Sequence, residues 1–290
     1  QGTAGAELNW FTFEDYKAPT TPRYESGYLQ NNNFRNRMYN FELLALYNNS
    51  WGNFDFNATL GGNLYKVNNQ TIVTTAKDMK IRDVVALMSF NEVSVEPYSY
   101  RKQINSIYGA VNLGWKHMLY FDATLRGDQS STLPISNNMY IYPSFSGSFV
   151  FSELLKLGDK LPYGKVRMSW AQVGSDTDPY QLGLVYTKSK FAYPGYTIGY
   201  ISNGTIPNKD LKPTKTNSFE MGLELKFLKN RIGLDFTYYS QLSKNQIMGM
   251  ASSSTSRYGY RLVNAGGNEN KGVGITLKTR PIQTQDISLD

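Results

Sequence analysis

The sequence predicts an all-β fold, an antiparallel transmembrane β-barrel to which this chain contributes about ten strands joined by long extracellular loops. Three observations predict it: side chains that alternate oily and wet with a period of two, runs longer than ordinary strands, and connections that alternate short and long. Globular strands average roughly 5–6 residues. A tilted strand needs about 9–11 to cross a bilayer.

In chain order, residues 8–13 and 37–47 are the first candidate strands. Phe54, Phe56, Ala58, Leu60 and Leu64 then alternate with Asp55, Asn57, Thr59, Gly61 and Asn63, one apolar and one polar face. After residues 105–115, Leu119, Phe121, Ala123 and Leu125 alternate with Tyr120, Asp122, Thr124 and Arg126. Residues 140–151 and 164–174 continue the series. Phe219, Met221, Leu223, Leu225 and Phe227 alternate with Glu220, Gly222, Glu224 and Lys226. Ile232, Leu234, Phe236 and Tyr238 alternate with Arg231, Gly233, Asp235 and Thr237, and residues 271–280 close the set. The wet faces carry full charges, among them Glu42, Asp122, Arg126, Arg167, Glu224 and Asp235.

The connections at 48–53, 116–118 and 228–230 are short, 152–163 is intermediate, and 14–36, 68–104, 129–139, 175–216 and 242–270 are long. Tight periplasmic turns alternating with long outer loops are the asymmetry of outer-membrane barrels. A two-sheet sandwich has no reason to keep its long loops at one end. Partial helical spacing of Met79, Val84, Leu87 and Met88 predicts a short helix within 76–88, and Pro194-Gly195 predicts the tip of a hairpin over 182–202. Tyr47, Trp51, Tyr65, Trp115, Tyr120, Tyr140, Tyr142 and Trp170 stand near strand ends, where aromatic girdles lie.

Composition narrows the function. Charged residues make up 18%, below the ~25% of soluble domains, and Tyr, Asn, Ser, Thr and Gly fill the difference. The chain has no Cys, which excludes disulfides, a thiolate metal site and a Cys nucleophile. Its net charge of +7 comes from scattered Lys and Arg without a run of four, so no nucleic-acid footprint is present. No stretch approaches the ~20 apolar residues of a spanning helix, and a strand-built membrane protein would have none. The chain begins at Gln1 rather than Met, as one that has lost an export signal would.

Catalytic, metal and cofactor sites are not expected. The sole histidine, His117, sits in a tight turn without partner ligands, so neither a triad nor a metal site follows. Asp176 and Asp178, in Gly174-Ser175-Asp176-Thr177-Asp178-Pro179, read first as turn residues bonding local backbone. Contact with an ion and a glycan-cleaving carboxylate pair are the alternatives. Gly266-Gly267 and Gly272-x-Gly274 follow no phosphate-loop pattern. The long loop after residue 175 is crowded with aromatics; Tyr180, Tyr186, Tyr193 and Tyr196 are the ligand-binding candidates, since aromatic faces stack on sugar rings or peptide side chains. The rival reading is a soluble or surface β-rich glycan-binding protein. It would bury Phe54, Phe121, Phe219 and Phe236 between two sheets.

Several segments resemble the SusC/RagA family of TonB-dependent outer-membrane transporters. Ile206-Pro207-Asn208-Lys209-Asp210-Leu211-Lys212-Pro213 is similar to a family turn segment, followed by the strand from Thr216 to Leu225. Asn230 to Tyr239 and Asn270 to Leu277 are similar to later strands, with Gly274 where the family favours Glu. Ser106–Trp115 and Leu119–Ser131 resemble an upstream hairpin, with Ala110 in place of Arg, and Tyr142-Pro143-Ser144-Phe145-Ser146 follows in family order. The resemblance covers residues 105–280. It implies a 22-stranded barrel around a plug domain, so residues 1–290 are expected to be part of a longer barrel, with the plug and the remaining strands lying elsewhere. It also implies active import of an oligosaccharide or peptide, a SusD-like surface lipoprotein and TonB as partners, and outer-membrane lipid around the wall. Asp122, Arg126, Glu224 and Asp235 then face the lumen.

Overall fold

The structure is a computed structural model that describes all residues except 83, 156, 157, 159, 160, 189–195, 197, 198, 202, 203, 257, 281, 284–287 and 290. Ten long strands form one sheet: β1 (Gly2–Lys17), β2 (Tyr28–Trp51), β3 (Phe54–Met79), β4 (Phe90–Trp115), β5 (Leu119–Ser130), β6 (Met139–Val150), β7 (Tyr163–Ser175), β11 (Thr214–Phe227), β12 (Ile232–Lys244) and β15 (Gly267–Thr279). They pair in sequence order, the meander expected of hairpin after hairpin. A single short helix, α1 (Phe151–Leu155), leads out of β6. Short strands fill the long connection after β7: β8 (Tyr186–Lys188), β9 (Gly199–Ile201) and β10 (Thr205–Ile206). Two more, β13 (Ile247–Ala251) and β14 (Tyr260–Asn264), stand between β12 and β15.

The chain divides into two compact units, one holding residues 1, 43–62 and 105–290, the other residues 2–42 and 63–104. In the first, the register shows why the period of two is so regular. Phe121 stands opposite Gly147, Gly147 opposite Met168, Met168 opposite Met221, Met221 opposite Tyr238 and Tyr238 opposite Val273. One pair further along, Leu119, Phe149, Val166, Leu223, Phe236 and Ile275 form the next apolar row. These rows share one face and the wet residues share the other. A slip of one residue would send every oily side chain to the wrong side.

No second layer covers the oily face among the described residues. Leu43 is 70% exposed, Phe121 44% and Ile275 67%. Phe54 and Phe236 are exposed as well, and Phe219 is half-buried by strand neighbours. In water such a surface would drive association; in hydrocarbon it is at rest. This arrangement removes the sandwich reading.

Small residues hollow the same face. Ala45, Ala58, Gly109 and Ala123 line a groove of about 600 Å³, bounded by Tyr47, Leu60, Val111, Leu125, Pro143 and Phe145. At the two-residue turns the backbone enters the left-handed region, at Gly52 (φ 62°) and at Lys116 and His117 (φ 50° and 54°). The side chains beside them, Trp51 with Phe56 and Phe54 with Trp115, make ring contacts at 6.0 and 6.4 Å.

The second unit corrects the sequence reading. The connections expected at 14–36 and 68–104 are mostly strand: β1 runs on to Lys17, β2 starts at Tyr28, β3 reaches Met79 and β4 starts at Phe90. Beyond a hydrocarbon layer both faces of a strand meet water, so alternation stops while pairing continues. The expected helix within 76–88 is absent; β3 occupies its first part, and Leu87–Ser89 form one 3-10 turn. A small apolar cluster of Leu29, Ala76 and Phe90, with Tyr16 and Met79 against it, fixes these strand ends.

In the first unit, the expected hairpin over 182–202 is present as β8 paired with β9, its tip at 194–195 lying outside the described residues. The connection at 242–270 holds order that the sequence did not announce. β14 pairs antiparallel with β13 and parallel with β10, 55 residues earlier in register (Thr205 with Tyr260). Asn264 locks this arrangement: it accepts from the Lys212 amide at 2.8 Å and donates to the Lys212 carbonyl at 2.7 Å and the Asn245 carbonyl at 3.0 Å. Leu211, fully buried, packs there with Leu133, Tyr140 and Leu262.

The oily face is tested by charge. Phe121→Arg is expected to cost about 2–4 kcal/mol if Phe121 meets the bilayer interior, whereas Gln241→Arg on the wet face is expected to cost under about 1 kcal/mol. Equilibrium unfolding in lipid vesicles measures both, and equal costs would contradict the assignment of faces.

Candidate functional site

The wet face of the first unit is built in rows by the same register. Asp122, Ser146, Ser169, Glu220, Tyr239 and Gly272 stand side by side across six strands. The next row reads Tyr120, Ser148, Arg167, Gly222, Thr237 and Gly274, and a third brings Lys165, Glu224, Asp235 and Thr276 together. Short hydroxyls, glycines and charges leave this surface polar and low.

Glu224 and Asp235 are direct cross-strand partners. Like charges so placed repel, and cations on both sides offset them. Arg167 reaches from β7 across β11 to β12. Its two Nη atoms each donate to one Asp235 oxygen at 2.9 Å, one of them also to Thr237 Oγ1 at 2.6 Å, and its Nε lies 3.8 Å from Glu220. The two-pronged contact matches the planar fork of a guanidinium. It is possible because residue 222 is glycine: a Cβ there would meet the Arg167 guanidinium at 2.5 Å. Lys226 lies 3.7 Å from Glu224 and 4.5 Å over the Tyr163 ring.

Asp122 and Arg126 do not pair with each other. Asp122 accepts from Ser146 at 2.8 Å and from Asn112. Arg126 donates to Asp128 and to Ser106, both at 2.9 Å, and lies 5.2 Å over the Tyr108 ring. Tyr142 donates to Asp128, joining the same network. Tyr120, Tyr140 and Tyr142 therefore share the face of Asp122, Arg126 and Asp128 rather than an outward girdle. Tyr65 likewise bonds Met38 Sδ, its strand neighbours on that side being Asn63 and Asn40. Parity decides, and these tyrosines have the parity of the polar set. Trp170, stacked on Phe145 at 6.1 Å, and Tyr47, 6.0 Å from Phe56, have the oily parity and fit the girdle.

Asp176 does not bond local backbone with its side chain, as a turn residue would. It accepts from Ser130 at 2.5 Å and Thr132 at 3.1 Å, and so ties the connection after β5 to the end of β7. Among the described residues no group of three or more acidic or histidine side chains is placed to hold a metal. His117 Nδ1 lies 3.9 Å from Asp55 across the turn. Tyr180, Tyr186 and Tyr196 are exposed, Tyr186 at 78%, and lie at separate points of the long connection; Tyr193 is outside the described residues. In the second unit Tyr28 donates to Gln30, and Gln30 to Asn32 at 2.9 Å, a ladder of amides along one strand face. Burial raises the pKa of the Tyr28 hydroxyl, which keeps it a neutral donor.

Sequence reasoning did not assign Arg167 to the site, although it stands in the wet set, and it missed Asp128 and Gly222. A glycine in a strand otherwise filled by Glu and Lys was the available signal, since it marks close approach of another group.

Residues 2–285 match the family described as TonB dependent receptor-like, beta-barrel. The chain belongs to that family. TonB-dependent receptor P3 of Formosa agariphila is 25% identical over 258 residues, 85% of this chain and 25% of the relative. The TonB-dependent receptor SusC of Bacteroides thetaiotaomicron is 26% identical over 201 residues, 67% of this chain and 20% of its own length. A solved structure titled as the RagAB peptide transporter superposes with a TM-score of 0.85 at 21% identity, covering 98% of this chain and 32% of that one. The outer membrane transporter YddB from Escherichia coli gives 0.57 at 11%. The likeness to SusC/RagA sequences drawn from residues 105–280 is borne out, and the strands belong to an outer-membrane β-barrel. The chain spans a quarter or less of the curated relatives it matches and about a third of the RagAB chain.

The ion pair through Gly222 is expected to behave as one unit. Arg167→Ala and Gly222→Val should each lower unfolding stability by about 1–3 kcal/mol, and the double variant should cost less than their sum. A double-mutant cycle in vesicles checks this, and strict additivity would separate the two residues.

Proposed function

We propose that the chain is part of the wall of a transporter that actively imports a nutrient across the outer membrane, an oligosaccharide or a peptide. The observation that carries the reading is the contrast between the two faces of one sheet: hydrocarbon-ready rows on one side, and on the other a hydroxyl-rich surface whose charges are largely paired. A wall of that kind lets a polar solute slide past without trapping it, because the paired charges make weak demands on what passes. Asp122, Arg126, Glu224 and Asp235 line the lumen in this reading, with Arg167 and Asp128 beside them. Tyr180, Tyr186, Tyr193 and Tyr196 contact ligand at the outer mouth.

A SusD-like lipoprotein delivers the ligand, and TonB, acting on a plug domain, opens the path. The names of SusC and of the RagAB peptide transporter support this partnership and both substrate classes. The relatives are named as receptors and transporters rather than enzymes, which agrees with a wall that performs no chemistry.

A strain lacking the intact transporter, grown on a panel of glycans and peptides, is expected to lose growth on one class. Complementation with Tyr180→Ala, Tyr186→Ala and Tyr196→Ala combined should reduce uptake of that ligand about tenfold, from roughly 0.5–1.5 kcal/mol for each lost stacking contact. Unimpaired growth of the deletion strain on every member would overturn the transport reading, and unimpaired uptake by the triple variant would remove the tyrosines from it.

A further inference from the structure

The second unit carries a cationic patch that the transport reading does not use. On β1 and β2 the register is fixed by Trp10 beneath the Arg35 guanidinium (5.8 Å) and by Thr12 donating to Asn33 at 3.0 Å. The same offset sets Leu8 opposite Arg37. On the opposite face Asn63 donates to Asn40 at 2.7 Å and Tyr65 bonds Met38, which leaves Lys66 beside Arg37 and Tyr39 on this one. Arg35, Arg37 and Lys66 thus gather over three adjacent strands, and none of them has an ion-pair partner among the described residues. The carboxylate on this face of the β1–β2 pair, Glu14, lies two pairs beyond Arg35 and is engaged by Asn31 at 3.4 Å. Trp10 is 73% exposed and Leu8 and Phe41 are exposed too.

Alternate residues of β2 give a graded series: Phe41, Tyr39, Arg37, Arg35, Asn33, Asn31. Apolar surface comes first, then an amphipathic ring, then two cations, then amides. The order matches the layers of a phosphorylated, acylated glycolipid: acyl chain, interface, phosphate, sugar. Arg forks bind phosphate oxygens in pairs. A tryptophan under the guanidinium holds it in place and lowers the ordering cost. The aromatic and the long cationic side chains also suit an interface, with apolar stems toward hydrocarbon and charged ends in the headgroup layer.

We propose that Arg35, Arg37 and Lys66, with Trp10 beneath Arg35, form a docking site on the outer wall for the phosphates of an anionic outer-leaflet glycolipid. The charge complementarity is local: three cations against a ligand with two phosphates, on a face whose lone nearby carboxylate is already bonded. Surface binding of this kind weakens as salt screens it, so bound lipid is released by high ionic strength before the apolar contacts yield.

The test uses the intact transporter containing this chain, purified in detergent and titrated by native mass spectrometry with bisphosphorylated lipid A, with the same lipid A after removal of both phosphates, and with inorganic phosphate as competitor. The triple variant Arg35→Gln, Arg37→Gln, Lys66→Gln is expected to bind bisphosphorylated lipid A about tenfold more weakly. The dephosphorylated lipid should bind wild type and variant alike, both weakly, and inorganic phosphate should not compete. Equal affinity of wild type and triple variant for bisphosphorylated lipid A would overturn the proposal, as would an equal loss for the dephosphorylated lipid. Competition by free phosphate would show an anion site rather than a lipid one and would overturn it too. Should the triple variant fail to assemble, the single variants Arg37→Gln and Lys66→Gln are expected to show about twofold to threefold losses; no loss in either would be equally decisive.

Discussion

The structure rests on the absence of water inside a lipid bilayer. A backbone N–H or C=O exposed to hydrocarbon has nothing to bond with and costs several kcal/mol. Strand-to-strand pairing is the way a β chain removes that cost, so pairing runs unbroken across β11, β12 and β15, thirteen cross-strand partners at each junction. Everything else is adjusted to this requirement. Turns between β2 and β3 and between β4 and β5 are cut to two residues, and left-handed conformations are tolerated at Lys116 and His117 to keep them tight. The side chains are then free to serve two media at once, one on each face.

The wet face meets a different demand. Four charged rows on neighbouring strands would repel or trap solutes if left open. Here most of them are spent on each other: Arg167 on Asp235, Lys226 on Glu224, Arg126 on Asp128. Gly222 allows the first of these by leaving room for a guanidinium to lie flat across a strand. Such contacts in a watered interior add little stability singly. Their effect is to hold side chains low and in fixed places, so that the surface offered to a passing molecule stays smooth.

Much of this was legible in the sequence wherever a strand separates oil from water. From Phe54 to Leu64 and from Phe219 to Phe227 the alternation gave strand, face and approximate ends. It failed where both faces are wet. Residues 28–36 and 68–79 are strand, yet Asn31, Asn32 and Asn33 or Asn68, Asn69 and Gln70 carry no period to read. The tyrosines show a second limit. Tyr140 and Tyr142 stand near a strand end and look like girdle residues, but only the register with Asp128 and Arg126 reveals which way they point. The partners of Asp176 are 44 and 46 residues away in sequence, a separation no local pattern encodes.

The parallel pairing of β10 with β14, clasped by Asn264 on the Lys212 backbone, has a mechanical consequence. Two stretches that the chain order separates by a full membrane crossing out and back are welded into a single rigid flap, with Leu211 as its rivet. Neither stretch can swing without carrying the other, so force applied to one is felt at the roots of β11, β12 and β15 together. The flap moves as a body or not at all.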